Sequence, residues 1–184
     1  MKLLRTIALD PSDTFIFEPP AEPGDWAVSG AFRFWGGDPA ALEGKARLAF
    51  RGGFLGLQSW GWSTLTQVVE AGPEERARVV EMLAQQLVDK LGAPNLETAR
   101  GAAEEEVAFA ESLCNHPLDT LIAVHRTSEN GEVREVFRTL RPRNGRAPLR
   151  AFAFLDVENE KQPVEQIDLI GMATAETTAK RERK

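Results

Sequence analysis

Tyrosine is missing from this chain, cysteine occurs once and histidine twice among 184 residues. A lone cysteine, Cys114, excludes an internal disulfide and suits a reducing compartment. One thiol and two imidazoles also cannot complete a closed Cys/His zinc set. No apolar run approaches the ~18 residues of a membrane span. Arg5 and Asp10 interrupt the stretch where a signal peptide would need its apolar region. Basic excess is lacking too: 22 Lys and Arg stand against 28 Asp and Glu, a net charge of −6, which disfavours a general nucleic-acid binder. The expectation is a soluble cytoplasmic protein with no membrane partner, no metal and no cofactor.

What is present is concentrated. All four tryptophans (Trp26, Trp35, Trp60 and Trp62) fall within 37 consecutive residues, together with Phe32, Phe34, Phe50, Phe54 and more than half of the fifteen glycines. Aromatic rings supply contact area, and glycines let backbones pass closely or turn sharply. Such a stretch is either the densest part of the core or a surface shaped to hold something. Charge is also uneven. Ten acids lie between Glu70 and Glu111 against four bases, and seven arginines lie between Arg126 and Arg150 against three acids.

Periodicity predicts an α+β fold: a mainly antiparallel sheet of five to seven strands, two long consecutive helices forming an αα-hairpin, and one shorter helix. Strands are expected at Leu3–Leu9, Thr14–Phe17, Trp26–Trp35, Ser63–Glu70, Thr120–Thr127, Glu132–Leu140 and Leu149–Val157. In the Trp26–Trp35 strand Val28, Gly30, Phe32 and Phe34 take the core side, and Ala27, Ser29, Ala31, Arg33 and Trp35 the other. Asp38-Pro39 reads as a helix start, with the helix running to about Arg51. The long helices are Pro73–Leu91 and Leu96 to about Cys114. Their apolar residues recur at helical spacing, and the second stripe (Ala99, Ala103, Val107, Ala110, Cys114) is small enough for close approach. Asn130-Gly131 is a hairpin turn signal. Val164–Ile170 reads as strand or short helix. The organisation expected is one α+β domain over residues 1–157 and a C-terminal extension over 158–184 that ends in disorder.

Candidate chemistry is thin. Cys114 and His116 form a Cys-x-His pair, but Cys114 sits in the apolar stripe, where a thiol is a small hydrophobe of raised pKa. Gly61-Trp62-Ser63-Thr64-Leu65 fails the nucleophile-elbow pattern at its last position. Gly44-Lys45 lacks the spacing and hydroxyl of a phosphate loop. Glu104-Glu105-Glu106 reads as a solvated helical face. No catalytic residue is assigned. The candidate binding residues are Trp35, Trp60 and Trp62, which the core leaves uncommitted, His125 and Arg126 on the first strand of the hairpin, and Arg134 and Arg138 on one face of the second. Arginine forks suit carboxylates, phosphates or an acidic partner surface.

Met1-Lys2-Leu3-Leu4-Arg5-Thr6-Ile7 and Leu9-Asp10-Pro11-Ser12-Asp13-Thr14-Phe15 open a series of motifs. Trp26-Ala27-Val28-Ser29-Gly30-Ala31-Phe32, Gly61-Trp62-Ser63-Thr64-Leu65, Val124-His125-Arg126-Thr127 and Phe137-Arg138-Thr139-Leu140-Arg141-Pro142-Arg143 continue it. On these the chain resembles an uncharacterised family of alphaproteobacterial hypothetical proteins, a domain of unknown function, over roughly Met1 to Arg143. The resemblance implies no chemistry and at most an accessory role beside bacterial redox enzymes. Three functions are expected in descending order. The first is a non-catalytic interaction or assembly protein, with a protein partner or self-association. Next comes a small-molecule binder or enzyme whose Trp-lined pocket is gated by Arg126 or His125. Last is an anion or nucleic-acid binder using the arginine-rich hairpin.

Overall fold

The computed structural model describes residues 1–129, 132–141 and 156–157. Its fold is α+β. Among the described residues eight strands form one sheet in the order β4-β3-β2-β1-β5-β6-β7-β8, and every pairing between named strands is antiparallel. In chain order the elements are β1 (Lys2–Ile7), α1 (Ser12–Ile16), β2 (Trp26–Val28), α2 (Gly44–Gly52), β3 (Phe54–Gly56), β4 (Trp62–Ser63) and β5 (Leu65–Glu70). The αα-hairpin follows as α3 (Pro73–Leu91) and α4 (Leu96–Ser112), and then come β6 (Leu121–Glu129), β7 (Glu132–Arg141) and β8 (Asp156–Val157). β3 and the Trp62 end of β4 fall outside the expected strands, because runs of three and two residues are too short for alternation to register.

The long helices start and stop where their sequences direct. The Glu75 carboxylate accepts from the Gly72 N–H at 2.8 Å, and Gly92, at φ +71°, closes α3. The Asn95 side chain accepts from the Thr98 N–H at 2.8 Å and opens α4, satisfying a donor that a helix start leaves bare. Leu83, Ala84, Leu87, Ala103, Val107 and Ala110 are buried along the facing stripes.

Register puts Leu4, Val68, Ile122, Val124 and Phe137 on one face of the sheet, and α4 covers that face through the Phe109–Phe137 ring contact at 5.7 Å. Phe54 of β3 also lies 6.1 Å from Phe137 of β7, although five strand spacings separate them. A flat sheet would hold those strands about 24 Å apart. The sheet therefore curls around its helical face, as the right-handed twist of strands favours.

The differences from expectation cluster between residues 12 and 53. Thr14–Phe17 is not a strand: Ser12–Ile16 forms α1, and its Asp13 carboxylate accepts from the Ser63 hydroxyl at 3.1 Å and from the Thr64 N–H at 3.1 Å. The Trp26–Trp35 strand ends at Val28. Gly30, at φ +77°, turns the chain, and Ala31–Phe34 winds into a 3-10 helix. The helix expected from Pro39 is a 3-10 turn, Pro39–Ala41, followed by α2 from Gly44. The Leu149–Val157 strand is described only at Asp156–Val157. The Asn130-Gly131 turn, Val164–Ile170, the C-terminal tail and Pro142, Arg143, Arg146 and Arg150 lie outside the described residues.

Candidate functional site

The aromatic–glycine stretch separates into a core half and a surface half. Trp26 and Trp62 are buried, Trp60 is half-buried, and Trp35 is 74 % exposed. The geometry begins at Gly30, where a Cβ would stand 2.6 Å from that of Leu55 and 3.0 Å from the Trp62 ring. Only glycine combines that approach with the left-handed turn. The turn drops Phe34 onto Trp62, stacked at 5.2 Å, and brings it edge-on to Phe50 at 5.2 Å.

Arg33 leaves the same 3-10 helix and lies against two indoles, with its guanidinium carbon 5.1 Å from the Trp60 ring and 5.3 Å from the Trp62 ring. Trp60 itself takes a left-handed backbone, φ 55°, and its carbonyl accepts the one hydrogen bond that the Arg33 guanidinium makes among the described residues, at 3.4 Å. Arg33 forms no ion pair with any described residue. Burial pushes its pKa down. Next to it, Arg33, Phe34, Trp35, Gly37, Asp38, Pro39 and Leu42 line an open recess of about 140 Å³. The Asp38 carboxylate in that lining is engaged, accepting from the Ala40 N–H at 2.9 Å.

Arg126 has the opposite surroundings. Its side chain is fully buried. The Nε donates to Glu135 Oε1 at 2.7 Å, Nη1 donates to the carbonyls of Phe50 (3.1 Å) and Gly53 (2.7 Å), and Nη2 donates to the carbonyl and hydroxyl of Ser29. All five donors of the guanidinium are used. Ser29 in turn donates to Glu135 Oε1 at 2.5 Å, and the Glu106 carboxylate accepts from the Gly30 N–H at 3.2 Å. This network ties β6 and β7 to the ends of β2 and α2 and to the start of β3. Arg126 gates no pocket; it is enclosed by backbone.

His125, Arg134 and Arg138 lie on the other side of the same hairpin. Register pairs His125 with Val136, Thr127 with Arg134 and Ala123 with Arg138, and all three candidate side chains are exposed. The seven candidate residues therefore fall into three places: a tryptophan–arginine cluster, a buried clamp and an outer sheet face. A second cavity of about 230 Å³, lined by Met1, Lys2, Glu70 and Leu118, touches none of them.

Cys114 is buried, its thiol donates to the Ala110 carbonyl at 3.3 Å, and burial, with Glu111 nearby, pushes its pKa to about 12. A thiol so held is inert. Among the described residues no group of three His, Cys, Asp or Glu is placed to hold a metal ion, and no helix is long and apolar enough to cross a membrane. The sequence reading did not single out Ser29, Arg33 or Glu135, and it placed Glu106 with Glu104 and Glu105 on a solvated helical face, whereas Glu106 is half-buried and bonded to the Gly30 N–H. Arg33 had one legible signal, its place between Phe32 and Phe34 two residues before Trp35. Glu106 had one too: it lies three residues after Ala103 and four before Ala110, at helical spacing from the buried stripe, whereas Glu104 and Glu105 are exposed.

The class so defined is an α+β protein built on one curled antiparallel sheet, with an aromatic–arginine recess at one end. The chain belongs to the DUF6505 family, a family of unknown function whose profile matches residues 1–159, a longer span than the motifs through Arg143 cover. No curated protein and no solved structure matches it.

Proposed function

We propose that this protein is a non-catalytic interaction or assembly protein, and that the Arg33–Trp35 recess is its contact surface. One observation carries the reading: Trp35, 74 % exposed, stands beside a half-buried arginine that has no acidic partner among the described residues. Tryptophan and arginine are the side chains most enriched at the centres of protein interfaces. A small-molecule pocket has less support. The recess of about 140 Å³ and the cavity of about 230 Å³ fall below the ~300–1,000 Å³ usual for ligand sites, and the proposed gate, Arg126, is buried and fully engaged. Nucleic-acid binding through Arg134 and Arg138 has the net charge against it. The alphaproteobacterial source, the cytoplasmic location and an association with redox enzymes extend this proposal and come from the resemblance and the composition.

Affinity capture of the tagged full chain from cells that encode it, compared with Trp35→Ala, tests the reading. The expected result is a protein, or a second copy of this chain, held by the wild type and lost with W35A. A capture profile that W35A leaves unchanged would overturn it. A redox enzyme among the lost proteins would give the accessory role its context.

A further inference from the structure

Three properties of the recess narrow what it can hold. Arg33 is fixed against Trp60 and Trp62 yet spends one N–H on a long bond of 3.4 Å, so the rest of its fork is open to an acceptor. The recess volume, about 140 Å³, is close to the ~150 Å³ that admits a benzene-sized apolar group, room for one side chain and not for a whole metabolite. Its walls combine the Trp35 indole, Pro39 and Leu42 with a second charged group, Asp38. That carboxylate repels a dianion such as phosphate, whereas a single carboxylate can be taken on the arginine side.

From this charge and size complementarity we infer that the recess binds a short acidic segment of a partner protein, with a carboxylate on the Arg33 guanidinium and the adjacent apolar side chain against Trp35 and Leu42. The inference rests on the interaction reading above and adds the chemistry of the partner. Arg33 supplies selectivity for the acid, since a planar fork matches a carboxylate with two parallel hydrogen bonds. Trp35 supplies affinity through contact area and is indifferent to charge.

The test follows the Trp35 indole N–H by heteronuclear NMR, identified by its loss in Trp35→Phe. The full chain is titrated with three capped peptides whose central pairs are Glu-Leu, Gln-Leu and Glu-Ser. The Glu-Leu peptide is expected to shift the signal to saturation, and the other two to bind about tenfold more weakly or less. Arg33→Gln should erase the preference for Glu over Gln, while Arg33→Lys, which keeps the charge and the packing stem, should retain part of it. Equal binding of the Glu and Gln peptides overturns the inference. So does an unmoved Trp35 signal, or tighter binding of inorganic phosphate or a short oligonucleotide than of the Glu-Leu peptide. The two proposals fail separately. If W35A loses the captured partner but Glu and Gln peptides bind alike, the interaction surface stands and the acidic segment falls. If W35A keeps every captured protein, the surface itself falls.

Discussion

Arg126 and Arg33 are both withdrawn from water, and the fold treats them in contrary ways. Arg126 reaches across the curled sheet, places all five donors on oxygen and neutralises its charge on Glu135. Arg33 is held by ring faces, uses one donor and has no counter-charge among the described residues. A guanidinium closed on every side is a structural strut. One that lies against ring faces and is open at its fork is what the proposed contact surface requires. The contrast separates the two arginines more sharply than exposure alone, because the half-buried state of Arg33 would otherwise read as packing.

The largest effect should follow from breaking the strut. Arg126→Met leaves the Glu135 carboxylate without its cation and the carbonyls of Ser29, Phe50 and Gly53 without their donor. Removing one partner of a buried ion pair costs about 3–5 kcal/mol, a large share of the ~5–15 kcal/mol that holds a typical protein folded. Urea denaturation should show that loss. The double variant R126M/E135L, which removes both charges, should recover part of it and not all, since the three carbonyls stay unpaired. A loss below ~1 kcal/mol for R126M would mean the clamp is incidental to the curl of the sheet.

A smaller effect, with a sign set by pH, comes from the second carboxylate in that cluster. Two acids, Glu106 and Glu135, face one arginine. Burial is the first cause raising the pKa of Glu106, and the charge of Glu135 adds to it, against the Gly30 N–H and the attraction of Arg126. The folded protein therefore holds this proton more tightly than the unfolded chain does, and ionising Glu106 costs stability. The cost is absent below the unfolded value near pH ~4.3, grows as pH rises towards the folded pKa, and is complete above it. Glu106→Gln keeps an oxygen for the Gly30 N–H and removes the charge. It should raise the urea midpoint at pH 7, by less than R126M lowers it, and the gain should vanish in acid. A variant less stable than wild type at pH 7 would show that Arg126 needs both acids.

The same contrast explains which parts of the molecule were legible in the sequence. The αα-hairpin and the β6–β7 pair were, because each is local: α3 and α4 carry a continuous apolar stripe with Gly92 and Asn95 at their junction, and the pair alternates on either side of Asn130-Gly131. Residues 12–53 were not. Alternation through Phe32 and Phe34 reads as a strand, and nothing in the local sequence says that Gly30 turns the chain, because the crowding that demands glycine there comes from Leu55 and Trp62, which follow more than twenty residues later. Reading the segment as a strand still placed Arg33 and Trp35 on one side, and both line the recess. Arg126 was legible only as a candidate gate beside His125 on a hairpin strand, and its local sequence, Val124-His125-Arg126-Thr127, names none of the groups that enclose it. Its partners come from Ser29, Phe50, Gly53 and Glu135, and only the curl of the sheet brings them together.

The smallest expected change is the one that bears most on function. Trp35 exposes 74 % of its surface, so Trp35→Ala removes little apolar area from the folded state that was not already in water. Its effect on the urea midpoint should stay within ~0.5 kcal/mol, the range of surface substitutions that break no specific contact. A tryptophan that contributes nothing to folding is costly to solubility, and in the recess it has Arg33 and Leu42 beside it. Stability unchanged together with a lost partner assigns Trp35 to contact. A loss above ~1 kcal/mol would instead make it a brace for the 3-10 helix, and the open fork of Arg33 would then be a gap in the packing with no occupant to find.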